Sequence, residues 1–134
     1  MIPSTNTILT TDLTIDTPTS RDYKLRINQN TISGYCDGLE AMTQVVYKIL
    51  NTERYQYIIY SWNYGVELKD LFGEPISYVC PELQRRIDEA LIQDDRITSV
   101  SDFEFDTSTK RTVKVRFTVN TIYGDIQAEK AVNI

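Results

Sequence analysis

The chain has 134 residues, of which 41% are apolar and 25% charged, enough for one domain with a packed core and too ordinary a mixture for wholesale disorder. Acidic residues outnumber basic ones by 19 to 14, and a net charge of −5 gives no electrostatic help toward phosphate backbones, so a general nucleic-acid binder is disfavoured. Histidine is absent, which removes imidazole bases, Ser-His and Cys-His nucleophile pairs and the commonest zinc ligand.

The opening MIPSTNTILTTDLT has neither the basic start nor the apolar stretch of a signal peptide, and no run of membrane-spanning length occurs, so folding in a cytoplasm is expected. Cys36 and Cys80 are then expected as free thiols, although spacing alone does not exclude a bridge. Residues 1–20 are rich in Thr, Ser, Asn and Asp and carry Pro3 and Pro18. They predict an extended or flexible arm, with Ile8, Leu13 and Ile15 available to dock on a partner. The domain proper is expected over residues 21–134.

From Asp22 to Ile27 the residues alternate, with Tyr23, Leu25 and Ile27 on one face, which predicts a half-buried strand. Asn28-Gln29-Asn30 predicts a turn and Thr31-Ile32-Ser33 a short return strand. Asp37 with Glu40 predicts a capping box, and Leu39, Met42, Val46, Ile49 and Leu50, widened by Ala41 and Val45, predict the core stripe of a helix ending near Asn51. Tyr55, Tyr57, Tyr60, Trp62 and Tyr64 then crowd together, as aromatics do at interfaces or over a core edge. Val66 to Phe72 predicts a short helix with Leu68, Leu71 and Phe72 inward and Gly73 as its C-cap. Pro81 is placed in the first turn of a third helix, whose buried stripe is Leu83, Ile87, Ala90 and Leu91. Its outer face pairs Glu82 with Arg86 and Arg85 with Glu89, a solvated face or rim.

The remainder predicts strands. Ile97, Ser99, Ser101, Phe103 and Phe105 share one phase, with Val100 out of step. Arg111 to Asn120 alternates with Val113, Val115, Phe117 and Val119 inward, and Ile126 to Val132 predicts a last strand completing a C-terminal β-hairpin. The expected fold is therefore α+β: a small single domain with about three helices packed on an antiparallel sheet.

Chemistry-bearing patterns are few. No phosphate-cradling glycine loop, CxxC, HExxH or EF-hand occurs, so no cofactor is expected. Asp102, Glu104 and Asp106 alternate along a strand and predict solvation rather than a cation site. Glu53, Glu67 and Glu74 supply carboxylates, yet no local pattern sets a pair apart as a hydrolase requires. The basic stripe of Lys110, Arg111, Lys114 and Arg116 lies opposite Phe117, which weakens a single-strand-binding reading.

The segments GLEAMTQVVYKILNTERYQY, IYSWNYGVEL and ALIQDDRITSV, in this order, resemble the baseplate wedge and sheath-initiator family of contractile tails, in the branch found in PBSX-type prophage tails. The family also includes the small wedge protein of contractile-tailed phages and its type VI secretion counterpart. The resemblance implies a non-enzymatic structural protein around the tail tube, in a six-fold arrangement, that joins other wedge proteins to the first ring of the tail sheath. It implies no nucleic-acid or membrane partner, and assembly in the host cytoplasm before incorporation into the particle. The family's Glu-Pro-Arg triplet stands here as Asp94-Asp95-Arg96, so the arginine is kept while the acid is shorter and the proline lost. By that resemblance Glu53, Arg54, Asp94 and Arg96 are candidates for the junction or wedge interface. Tyr60, Trp62 and Tyr64 are candidate aromatic contacts. Ile126, Ala128, Lys130 and Val132 mark the strand for pairing with the sheath. The readings kept beside it are a tail-associated cell-wall hydrolase and a nucleic-acid-binding α+β module.

Overall fold

The computed structural model describes residues 19–134. The expected N-terminal arm lies outside the described residues apart from Thr19 and Ser20, and Ser20 is buried. Over the described residues the fold is α+β, with two α-helices, a two-stranded hairpin and a three-stranded antiparallel meander. The hairpin pairs β1 (Asp22–Arg26) with β2 (Thr31–Cys36), and the meander runs β3 (Ile97–Asp106), β4 (Thr112–Thr121), β5 (Gly124–Asn133). Helices α1 (Gly38–Leu50) and α2 (Ile76–Ile92) contribute with one face of the meander to a single apolar core.

The core follows the expected patterns where they are longest. Met42, Val46, Ile49 and Leu50 of α1 and Leu83, Ile87, Ala90 and Leu91 of α2 are buried together with Val113, Val115, Phe117 and Val119 of β4. The opposite face of β4 carries Thr112, Lys114, Arg116, Thr118 and Asn120, a polar side on which Thr118 alone is buried, accepting a hydrogen bond from Gln127. Asp37 caps α1, its carboxylate accepting from the Gly38 amide at 2.7 Å. The expected reciprocal bond from Glu40 is replaced by an ion pair with Lys24 of β1 at 2.6 Å. Leu39 leaves the stripe and is exposed. It flanks Gly124 at the end of the sheet.

Three further expectations are corrected. Val66 to Phe72 is not an α-helix: only Lys69–Leu71 makes a 3-10 turn, because Val66 is held by a bridge to Glu53 and the remaining residues are too few to nucleate an α-helix. Leu71 is buried as expected, but Phe72 points to solvent. Pro81 lies inside α2 rather than in its first turn, because the helix already begins at Ile76. Proline there has no N–H to give the preceding turn, and Pro81 and Ser77 are both exposed, so water can satisfy the freed carbonyl. The first strand is not half-buried on the Tyr23, Leu25, Ile27 face: Tyr23 and Ile27 are exposed, and a register irregularity between Tyr23 and Leu25 breaks the alternation.

The phase of β3 is also reset. The register pairs Val100 with Val119 and Phe105 with Val115, both buried partners, while irregularities fall between Ile97 and Ser99 and between Ser101 and Glu104. Asp102 sits at φ 56 in the second of these. Val100, Phe103 and Phe105 thereby share the core side, with Phe103 stacked on Phe117 at 5.4 Å, and Ser99 and Ser101 turn outward to the Asn120 amide. Each bulge shifts the period-two pattern by one residue, which plain alternation does not anticipate.

Candidate interaction surfaces

The Thr52-Glu53-Arg54 corner after α1 is a structural knot. The Glu53 carboxylate accepts from the Leu68 amide at 3.1 Å and the Lys69 amide at 3.2 Å, capping the 3-10 turn. Arg54 donates through Nε to the Gly65 carbonyl at 3.3 Å and through Nη1 to Glu89 of α2 at 3.2 Å. The backbone closes the same loop, with the Val66 amide on the Thr52 carbonyl at 3.0 Å and the Arg54 amide on Val66 at 3.3 Å. Gly65 is required there: at φ +94 a Cβ would stand 2.6 Å from the Thr52 carbonyl oxygen.

Between these pinned ends the loop carries the aromatic candidates. Tyr60 and Tyr64 stack at 4.4 Å, with Tyr57 edge-on to Tyr60 at 6.3 Å. Tyr64 packs against the core, and burial pushes its phenol up from the ordinary tyrosine value. Trp62 is 81% exposed, Ile59 85% and Ile58 fully so. The sequence reading named Trp62 but passed over the two isoleucines, which no periodicity marks.

At the junction of α2 and β3, Arg96 grips Asp94 bidentately, Nε to Oδ1 at 2.9 Å and Nη2 to Oδ2 at 2.8 Å, and its own amide adds a bond to Oδ1 at 3.0 Å. Its third arm reaches Ser20 at 3.1 Å, and Ser20 in turn donates to the Tyr123 hydroxyl at 2.8 Å. The Arg96 guanidinium holds the Asp94 carboxyl below the usual carboxylate range. A shorter acid thus closes the fork two residues away, and the cluster joins the start of the described chain, the helix–strand corner and the β4–β5 turn.

The outer face of α2, expected as a solvated face or rim, carries both expected i,i+4 pairs and does more. Arg86 is only 10% exposed: it bonds Glu82 at 3.1 Å, the Glu67 carbonyl at 3.0 Å and both carboxylate oxygens of Asp70, so it sews the 3-10 turn to the helix. Asp70 and Glu82 are both lowered below ordinary carboxylates by these arginines, Asp70 first by Arg86 and Glu82 first by Arg85. Gln44 is a second residue without sequence signal. It accepts from the Leu25 amide at 2.9 Å and donates to the Tyr23 carbonyl at 2.7 Å, fastening the β1–β2 hairpin to α1.

Strand β5 pairs with β4 in unbroken register from Gly124 to Asn133. Ile126 and Val132 are buried, Ala128 is half-buried, and Lys130 reaches Asn51 beyond α1 at 3.1 Å. These four side chains therefore face the domain's own core, and the side of β5 away from β4 is an open sheet edge among the described residues. Burial pushes the Lys130 ammonium below the ordinary lysine value.

The rival chemistries find little here. Lys114 and Arg116 both approach Glu129 of β5, at 3.9 and 2.9 Å, so the basic stripe is locally compensated. Phe117 is buried behind it. Glu53 and Glu74 line separate grooves, one beside Lys69 and Ala131 and the other beside Pro75 and Arg111, and do not form a facing pair. Among the described residues no group of three or more acidic or thiol side chains is clustered for a metal, and no helix is long and apolar enough to cross a membrane. Cys36 and Cys80 are free thiols, each pushed up by burial.

A family profile described as the contractile injection system sheath initiator matches residues 11–124. The chain is 40% identical over 118 residues to the phage-like element PBSX protein XkdS of Bacillus subtilis (strain 168), covering 85% of this chain and 83% of that protein. With the match running from before β1 to the start of β5, the chain belongs to the contractile injection system sheath initiator family, structural components of contractile tails.

Proposed function

We propose that this chain joins the baseplate wedge to the first ring of the tail sheath, and that the open edge of β5 pairs with a strand of a sheath subunit. The observation that carries the reading is the contrast between the two edges of the meander. The β3 edge is interrupted by two register irregularities and carries Asp102, Glu104 and Asp106, devices that discourage a visiting strand. The β5 edge is ten residues long and unbroken. The β4–β5 connection is two residues, Ile122 and Tyr123, so Thr121 and Gly124 begin the hydrogen-bonded pairs. By alternation the backbone groups of Gln127, Glu129 and Ala131 then face outward. Ile126, Ala128, Lys130 and Val132 would hold the strand flat on the core and so fix the register offered to the visitor.

On the wedge side, the Asp94–Arg96 and Glu53–Arg54 clusters serve as rigid corners that present the surfaces beside them. Copies of the chain are placed six-fold around the tail tube, assembled in the host cytoplasm and carried into the particle. The test is capture of purified sheath protein by the full chain and by Gln127→Pro and Ala131→Pro. Proline removes an outward N–H, and an edge strand tolerates it where no ladder bond is lost. Sheath capture by the parent and loss in both variants, with unchanged melting, supports strand pairing. Undiminished capture by folded variants rules it out.

A further inference from the structure

We infer that the tip of the 55–66 loop, Ile58, Ile59 and Trp62, is a preformed plug that enters an uncharged, concave apolar pocket on a neighbouring baseplate protein. The inference rests on the baseplate reading above and gives that reading a second, separate contact. All twelve residues from Tyr55 to Val66 lack formal charge, in a chain that is otherwise one-quarter charged. The tip is fully solvent-facing at Ile58, 85% exposed at Ile59 and 81% at Trp62, which no packing need among the described residues explains.

The loop is nevertheless held in shape. Its ends are tied by the Val66–Thr52 and Arg54–Val66 backbone bonds, and turn bonds join the Tyr60 amide to Tyr57 at 3.3 Å and the Tyr64 amide to Ser61 at 3.1 Å. The Tyr60–Tyr64 stack props the middle against the core. Tyr60 and Tyr64 are thus supports more than contacts. A protrusion ordered before it binds loses little conformational entropy on binding, and large side chains at its apex are the composition of an interface anchor.

Charge decides the occupant. Of the ionic groups at the base of the loop, Glu53 is committed to two backbone amides and Arg54 to Glu89 and Gly65, while the Lys69 ammonium rests on the Gln56 side-chain oxygen, so charge lies at the base of the loop and none at its tip. No basic side chain lies between Tyr55 and Val66 to meet lipid or nucleic-acid phosphates. The apolar groove this chain could offer to a second copy, at Phe72, Pro75 and Ile76, is bordered by Glu74 and Arg111. A convex uncharged tip calls for a concave uncharged recess.

The experiment uses the full chain and purified proteins of the same tail, with Ile58→Asp/Ile59→Asp and Trp62→Ala as variants. These side chains are exposed, so melting should not fall and capture is interpretable. Expected is loss of one wedge protein's capture by the Asp pair, about tenfold or more weakening by Trp62→Ala, and sheath capture unchanged. Parent binding should also hold from about 50 to about 500 mM NaCl, since an uncharged contact is not screened. Wedge capture retained by both variants, or binding that salt abolishes, overturns this inference while leaving the baseplate reading standing. Loop-dependent self-association in sedimentation, or loop-dependent binding to phosphatidylglycerol vesicles, overturns it by naming another occupant. Capture of no tail protein by the parent chain overturns both readings.

Discussion

Individual side chains in this protein join segments far apart in sequence, and the cost of losing one depends on what it leaves unpaired. Arg96 is bound to Asp94, Ser20 and, through Ser20, to Tyr123. Arg96→Ala leaves a part-buried carboxylate without its fork and should cost about 2 kcal/mol in urea unfolding. The pH dependence has a definite sign. Asp94 titrates below the unfolded carboxylate value, so its contribution is fully present above about pH 4 and is lost as pH falls through the folded value. The acid limb of a stability–pH curve should therefore be shallower in Arg96→Ala than in the parent. Equal slopes would mean that Asp94 draws its stabilisation elsewhere. Gly65→Ala is a harder insult, because the added Cβ meets a backbone oxygen at 2.6 Å in left-handed geometry. About 2–3 kcal/mol of destabilisation is expected from thermal or urea melts. Asp94 and Arg96 stand two apart, and their pairing was within reach of the sequence. The Glu82–Arg86 pair was equally legible at its i,i+4 spacing, whereas the Arg86–Asp70 fork and the bonds of Gln44 and Ser20 were not, since those partners lie 16 to 103 residues away and no local pattern selects them.

At the level of elements, legibility followed length and regularity. The β4 alternation and the apolar stripe of α2 were readable because each persists through a whole element whose buried face is continuous. The 66–72 segment was misread because its apolar spacing fits a helical turn, while the Glu53 bridge and cap that hold it otherwise come from outside the window. Strand β3 was misread in phase because a bulge is a backbone event that leaves composition unchanged. Asp102 makes that event testable. At φ 56 it occupies a conformation that glycine adopts freely, so Asp102→Gly should be neutral or stabilising by up to about 1 kcal/mol. Asp102→Val should destabilise by more than that gain, since a β-branched residue is strained at positive φ. Thermal melts of the two variants distinguish a true bulge from ordinary strand, where valine would be the better residue. Lys130 exposes a different compromise. An inward lysine on an open edge strand costs desolvation, which lowers its folded pKa, so it weakens the native state at neutral pH and ceases to do so once pH exceeds the unfolded lysine value. Lys130→Met should melt higher at pH 7, with the gain shrinking above about pH 10.

Taken whole, the molecule has two tiers of stability. The meander and both helices share one apolar cluster, and β5 cannot be spared from it: a chain ending at Asn120 would lose Ile126 and Val132 from the core and should show no cooperative melt. The β1–β2 hairpin belongs to the weaker tier. It contributes none of the residues of that cluster. It is attached to α1 by Gln44, by the Lys48–Asp22 pair at 2.6 Å and by the Lys24–Glu40 pair at 2.6 Å. Polar tethers of this kind open at lower free energy than a packed core. Hydrogen exchange should therefore protect β4 and the core side of α2 most, with β1 and β2 exchanging through a separate, cheaper opening. Acid should widen the gap. The hydrogen bond from Lys48 holds Asp22 below the usual carboxylate range, so that tether is intact above about pH 4 and is lost as pH falls through the folded value. Gln44→Ala should speed exchange in the hairpin by about tenfold, the equivalent of one to two lost hydrogen bonds, while β4 protection is hardly altered. If β4 and the hairpin lose protection together, the two tiers are one cooperative unit, and the hairpin is held by more than its tethers.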